Sequence, residues 1–190
     1  SGAAPDAPRV WFRAKWLGEE AVRSAGIGSV ILRPSWVYGP EDRALNRFVS
    51  FHRLLPVVPV VGDGSQRLQP VLVDDVAEAV AMAVGPGAPA GTFEIGGPEV
   101  FTMDQVLGVM MEVLGRRKPL LHVSPALPKL AGWFLRVLPR PPLSPDAVDF
   151  LTGDALADTA PLLRAFGLRL TPLREGLAGY LGSGRRDPPA

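Results

Sequence analysis

Lys15 is the residue whose type and position most invite chemistry, an ammonium one place off the apolar stripe of a helical pattern, among Trp11, Phe12 and Trp16. A lysine so placed either snorkels to solvent or offers its cation to a ligand. Arg33-Pro34 comes next, at the end of the short β-branched run Ser29-Val-Ile-Leu32, which has the pattern of a strand buried on both faces of a parallel sheet. Open α/β sheets bind ligands outside the carboxyl ends of their strands. The stretch Leu32-Arg-Pro-Ser-Trp-Val-Tyr-Gly-Pro40, with Arg33, Pro34, Ser35 and Tyr38, lies at such an end.

Other chemistries are poorly served. His52 and His122 lack partners at ligand spacing, so neither a zinc site nor a Ser/His/Asp triad is expected. Asp74 and Asp75 are chain neighbours, whereas an acid/base pair needs facing carboxylates; Asp74 suits a helix cap, with Asp75 in the first turn. A phosphate-cradling loop is missing. Gly62-Asp-Gly-Ser-Gln-Arg67 begins like one but ends in arginine ahead of a strand, the Gly85 to Gly91 stretch is a Pro-rich linker, and no Walker A lysine exists.

The elements that must position these residues follow from periodicity. Apolar Val10, Ala14, Leu17, Ala21, Val22 and Ala25 put one face of a helix over 9–25 toward a core, and Gly26 and Gly28 end it. A second helix is predicted over 45–55, extended chain over 57–64, a strand at 71–73, a helix over 75–84, and a strand at 92–95 ending at Gly96-Gly97. Thr102 and Gln105 form a capping box opening a helix to about residue 114, before a short extended piece at 120–123. Helices are predicted over 127–138, 144–151, 160–166 and 171–181, with frayed final residues. The first half thus reads as α/β and the second as mostly helical.

Composition narrows the classes. With 190 residues, 20 Lys+Arg against 19 Asp+Glu and a formal charge of +1, the chain has no field that would neutralise many phosphates, so a nucleic-acid partner is not expected. The absence of cysteine removes disulfides and thiolate chemistry. No apolar run approaches the roughly 18–20 residues that span a bilayer. A cytoplasmic protein, at most peripheral to a membrane, is the expectation.

In order and spacing these pieces resemble the extended and atypical short-chain dehydrogenase/reductases, the NAD-dependent epimerase/dehydratase-like proteins. Lys15-Trp-Leu-Gly-Glu19 resembles the helix bearing the family's Tyr-x-x-x-Lys motif, and Ile31-Leu-Arg-Pro-Ser-Trp-Val-Tyr-Gly-Pro40 the strand and loop beside the nicotinamide. Pro70-Val-Leu-Val-Asp-Asp-Val-Ala77 and Thr92-Phe-Glu-Ile-Gly-Gly97 match later segments. Gly39-Pro-Glu-Asp-Arg-Ala-Leu-Asn46, Leu54-Leu-Pro-Val-Val-Pro59, Leu143-Ser-Pro-Asp-Ala-Val148, Gly167-Leu168 and Tyr180-Leu181 point to the branch similar to the NAD(P)-binding accessory subunit of respiratory complex I.

The resemblance implies part of a Rossmann-like doubly wound parallel sheet over 1–97, a mostly helical substrate or cap subdomain over 98–182, and a disordered tail over 183–190. It implies NAD or NADP as cofactor. Lys15 would hold the nicotinamide ribose, Arg33, Pro34, Ser35 and Tyr38 would line the nicotinamide pocket, and Arg67, Gln69 and Asp74 would lie on the substrate side. The family's catalytic tyrosine falls at Trp11, whose indole cannot release or take up a proton as a phenol does, so weak or absent activity is expected. Motif order also leads us to expect the C-terminal portion of a larger fold, lacking on the order of 100 residues of opening βα units at about 30 each. Two rival readings stand beside this one. The first is an active NAD(P)-dependent reductase or epimerase on a small or lipid-like substrate, using another proton donor. The second is a non-catalytic accessory protein of a respiratory or membrane-associated complex, docking through Trp133, Phe134, Leu135, Val137 and Leu138 with flanking Lys129, Arg136 and Arg140; on amphipathicity alone those apolar residues better suit the core face of a helix.

Overall fold

The computed structural model describes residues 3–7, 10–124, 126 and 153–182. The helices expected over 127–138 and 144–151, with the proposed interfacial cluster and the 183–190 tail, lie outside the described residues.

Helix α1 (Val10–Ser24) leads into strand β1 (Val30–Pro34), followed by β2 (Val37–Tyr38) and α2 (Arg43–Leu54). Asp42 starts α2 by accepting the Ala44 and Leu45 amides on its two carboxylate oxygens at 2.9 and 2.7 Å, which satisfies two otherwise orphaned donors. Then come β3 (Val58–Val61), β4 (Arg67–Leu68), β5 (Val71–Leu72), α3 (Val73–Ala83), β6 (Gly91–Ile95), β7 (Phe101–Thr102), α4 (Met103–Val113) and β8 (Leu120–Val123). Helices α5 (Ala160–Phe166) and α6 (Leu173–Leu181) complete the described elements. The Thr102/Gln105 capping box opens α4 as expected.

Among the described residues three strand pairs are parallel, β1 with β6, β2 with β5 and β3 with β8, and β4 with β7 is antiparallel. Parallel pairing needs crossover connections, and α2, α3 and α4 lie in those crossovers. The larger core cluster joins Tyr38, Leu45, Val49, Val58 and Val60 to Val106, Leu107 and Met110 of α4 and Leu173 and Leu177 of α6. Each fully buried side chain of this kind contributes roughly 1.5–3 kcal/mol. A smaller cluster packs Val71, Ala79 and Ile95 against Leu162 and Leu168.

Two expectations need correction. Asp74 does not cap α3: the helix starts two residues earlier than expected, at Val73, its N-cap is Leu72, and no side chain among the described residues caps it. Asp74 is exposed, and Asp75 is the buried carboxylate, accepting the Thr171 amide and hydroxyl at 2.8 Å each and so tying α3 to the approach of α6. The apolar face expected of α1 does not enter a core. None of its residues is buried, and Val10, Leu17 and Val22 are 71%, 61% and 41% exposed. Strand β1 is only half-buried throughout, because among the described residues it pairs on one side alone, with β6.

Candidate functional site

A cleft of ≈ 850 Å³ opens where α1 passes the carboxyl end of β1. Trp11, Phe12 and Lys15 line it from the helix, Arg33, Pro34 and Ser35 from the strand end. Trp11 and Phe12 stack with centroids 4.3 Å apart, and the Lys15 ammonium lies 5.7 Å from the Trp11 ring centroid, within cation–π range. Lys15 is exposed and makes no ion pair among the described residues.

Arg33 is placed in the cleft wall but is already committed. Its Nε and Nη2 donate to the two Glu19 oxygens at 2.8 and 2.6 Å, a bidentate pair that locks β1 to α1. Hydrogen bonding from Arg33 holds the Glu19 carboxyl below its ordinary range, and the same bond raises Arg33. Arg23 donates to Glu19 as well, at 2.7 Å. Arg33 thus braces β1 against α1, and Lys15 is the exposed ammonium on the cleft wall.

The far wall is a strap formed by residues 153–159. Ala155 donates to the Arg67 carbonyl at 2.8 Å and accepts from the Gln69 amide at 2.9 Å, extending β4 like an added strand. Gln69 ties the strap to the β6–β7 connection through its side-chain amide, accepting from Ala157 N at 3.0 Å and donating to the Gly97 carbonyl at 2.8 Å. Ser35 Oγ donates to the Gln69 carbonyl at 2.5 Å. Backbones approach closely here: a Cβ on Gly97 would stand 1.9 Å from the Pro70 carbonyl oxygen, so only glycine fits.

Of the residues expected to form one site, Trp11, Lys15, Arg33, Pro34 and Ser35 do come together. Tyr38 does not. It is fully buried, its hydroxyl without a hydrogen-bond partner among the described residues and facing Gly176, where a Cβ would come within 2.2 Å of the Tyr38 oxygen. Burial pushes its phenol upward, with the Asp75 charge adding to the effect. Gln69 braces the strap, and Asp74 lines neither this cleft nor the next. Arg67 lines a separate polar cleft of ≈ 850 Å³ at the carboxyl ends of β3 and β8, with Asp63, Ser65, His122 and Asp154. Asp154 borders both clefts.

The histidines settle into local pairs. His52 is buried, with Nε2 2.7 Å from the Arg116 carbonyl, so that nitrogen carries the proton. His122 Nε2 lies 3.0 Å from both Asp104 oxygens. Sequence reasoning missed Glu19, Asp75 and Asp154 as tertiary partners. Glu19 stood inside the quoted Lys15 motif, but nothing local announces a partner 14 residues on, and Asp154 meets Arg67 across 87.

Parallel α/β pairing with an aromatic and cationic cleft at a strand's carboxyl end defines the Rossmann-like class, and known structures agree. The chain superposes on the ADP-L-glycero-D-manno-heptose-6-epimerase of Helicobacter pylori with a TM-score of 0.70 at 19% identity, covering 94% of this chain and 52% of that one. It superposes on the UDP-glucuronic acid 4-epimerase of Bacillus cereus, solved with UDP-glucuronic acid and NAD, with a TM-score of 0.67 at 20% identity, covering 96% and 57%. Residues 4–126 match the RmlD substrate binding domain, and the chain belongs to that family, within the extended short-chain dehydrogenase/reductases. It is 34% identical over 192 aligned positions to the mitochondrial NADH dehydrogenase [ubiquinone] 1 alpha subcomplex subunit 9 of Arabidopsis thaliana, covering 94% of this chain and 46% of that protein. The chain spans about half the length of the curated relatives it matches.

Proposed function

We propose that the cleft between α1 and β1 is the nicotinamide end of an NAD(P) site and that the protein binds its dinucleotide without efficient hydride transfer. The observation that carries this is the convergence of Lys15, Trp11, Pro34 and Ser35 at one strand's carboxyl end. The residues fit the group. Lys15 offers an ammonium that makes no ion pair among the described residues to ribose hydroxyls, the indole wall suits a flat ring, and Ser35 is held by Gln69. A nicotinamide cofactor, when bound, supplies a hydride donor or acceptor.

What Trp11 does not supply is the proton partner. An indole N–H can donate a hydrogen bond but exchanges no proton near neutral pH, so the general acid/base step has no group at that position. Lys15 binds and orients, and the Glu19–Arg33 pair fixes the helix that presents it. Titration of NADH and NADPH into the longest natural form of the protein carrying this chain tests the reading. Saturable binding below millimolar with negligible turnover is expected, and failure to bind either nucleotide sinks it.

The polar cleft holding Arg67 is the substrate side in this reading, since the strap residue Asp154 borders it and the Lys15 cleft alike. The 34% identity to an NADH dehydrogenase subunit favours an accessory role in a respiratory assembly, peripheral to the membrane. No helix among the described residues is long and apolar enough to cross a bilayer. Comigration with NADH dehydrogenase activity on a native gel is the expected result, and migration wholly apart from it removes the accessory role.

A further inference from the structure

Arg67 is the one arginine among the described residues lining the polar cleft, and one edge of its guanidinium, Nε and Nη2, is already engaged. Asp154 Oδ1 accepts the Arg67 backbone N–H at 2.7 Å, while Oδ2 accepts Nε at 3.1 Å and Nη2 at 2.9 Å. Three N–H groups of one residue converging on one carboxylate form a cradle that matches the oxygens of a carboxylate or phosphate. The anion that fills it comes from this chain.

The strap keeps it there. Backbone bonds join Ala155 to Arg67 and Gln69, Ala157 bonds the Gln69 side chain, and Asp158 N donates to Glu94 at 2.9 Å. A dissolved anion therefore competes with a tethered one at high effective concentration. The surroundings add to the exclusion. Asp63 also lines the cleft, its carboxyl held low by Ser65, and Asp104 faces His122, so an incoming polyanion meets further negative charge. The Bacillus cereus epimerase, by contrast, was solved with a ligand that carries a diphosphate.

We propose that Asp154 is a specificity-determining residue, an internal counter-anion that closes the Arg67 cradle to phosphorylated ligands. This rests on reading the polar cleft as the substrate side. The test is calorimetric titration of inorganic pyrophosphate into the full chain at constant ionic strength and neutral pH. Wild type is expected to show no saturable binding up to the order of 10 mM. Asp154→Ala and Asp154→Asn should each bind at least about tenfold more tightly than wild type. Adding Arg67→Ala to either should abolish the gain. The asparagine is nearly isosteric and still accepts the Arg67 amide, so it decides the matter if the alanine variant loses its fold. Submillimolar binding to wild type, no gain in a folded variant, or a gain that survives Arg67→Ala overturns the proposal. Pyrophosphate has no nicotinamide and Lys15 is untouched, so this outcome and that of the NADH titration are read separately.

Discussion

Lys15 and Trp11 carry opposite halves of the functional argument, one by what it can bind and the other by what it cannot transfer. If Lys15 holds the ribose, Lys15→Ala weakens dinucleotide binding by about tenfold, the worth of one charge-assisted hydrogen bond, and leaves the melting curve in place; unchanged affinity by calorimetry would move the cofactor elsewhere. Trp11→Phe keeps the aromatic wall and removes only an N–H, so any residual turnover should survive it. Asp75 is a different kind of residue. Its buried carboxylate accepts two hydrogen bonds from Thr171, so Asp75→Ala leaves those donors unsatisfied and costs about 1–3 kcal/mol in urea denaturation. Tyr38 and Gly176 make the complementary case, since a methyl on Gly176 meets the Tyr38 hydroxyl and Gly176→Ala should destabilise by about 1–3 kcal/mol. Lys15 was legible because a charge among aromatics on a helix stands out in sequence. Tyr38 misled because it ends the two-residue strand β2, and nothing in the stretch around it announces that its ring turns into the core.

At the scale of elements, α1 is held to β1 by charge where packing would ordinarily do it. The Arg33–Glu19 pair is mostly shielded, with 22% and 12% of the side chains exposed, while the helix buries no residue. Because Glu19 titrates below its ordinary value when folded, the pair's stabilisation is fully present above the unfolded carboxylate's pKa, about 4.3, and fades as pH falls through the lower folded value. The stability difference between wild type and Glu19→Gln, read from urea midpoints, should therefore be constant near neutral pH and shrink toward zero under acid; a difference independent of pH would mean the pair contributes nothing through charge. Most elements were legible: the α4 capping box and the Gly-bounded strands follow from local signals. The pairing of β3 with β8 was not, since parallel register across 62 positions has no local signature.

For the molecule as a whole, the consequence is exposed apolar surface. Val10, Leu17 and Val22 of α1, Ile27, 70% exposed, and Val80 and Val84 around the end of α3 are all exposed, and among the described residues β1 pairs on one side alone. A parallel strand edge beside apolar helical faces is a surface proteins ordinarily cover. The isolated chain should self-associate in sedimentation velocity at tens of micromolar, and Val10→Lys with Leu17→Lys should shift it toward monomer without lowering its melting temperature. By itself the sequence determined the α/β class, the order of the longer described helices and strands, the family resemblance and the Trp11 departure, because these depend on residue type and short-range period, whereas the two-residue strands β2, β4 and β7 were missed. Tertiary structure alone decided which charges are spent. Arg33 goes to Glu19, Arg67 to Asp154 and Asp75 to Thr171, pairings that form only when distant segments meet, and they leave Lys15 as the cation the α1–β1 cleft can offer.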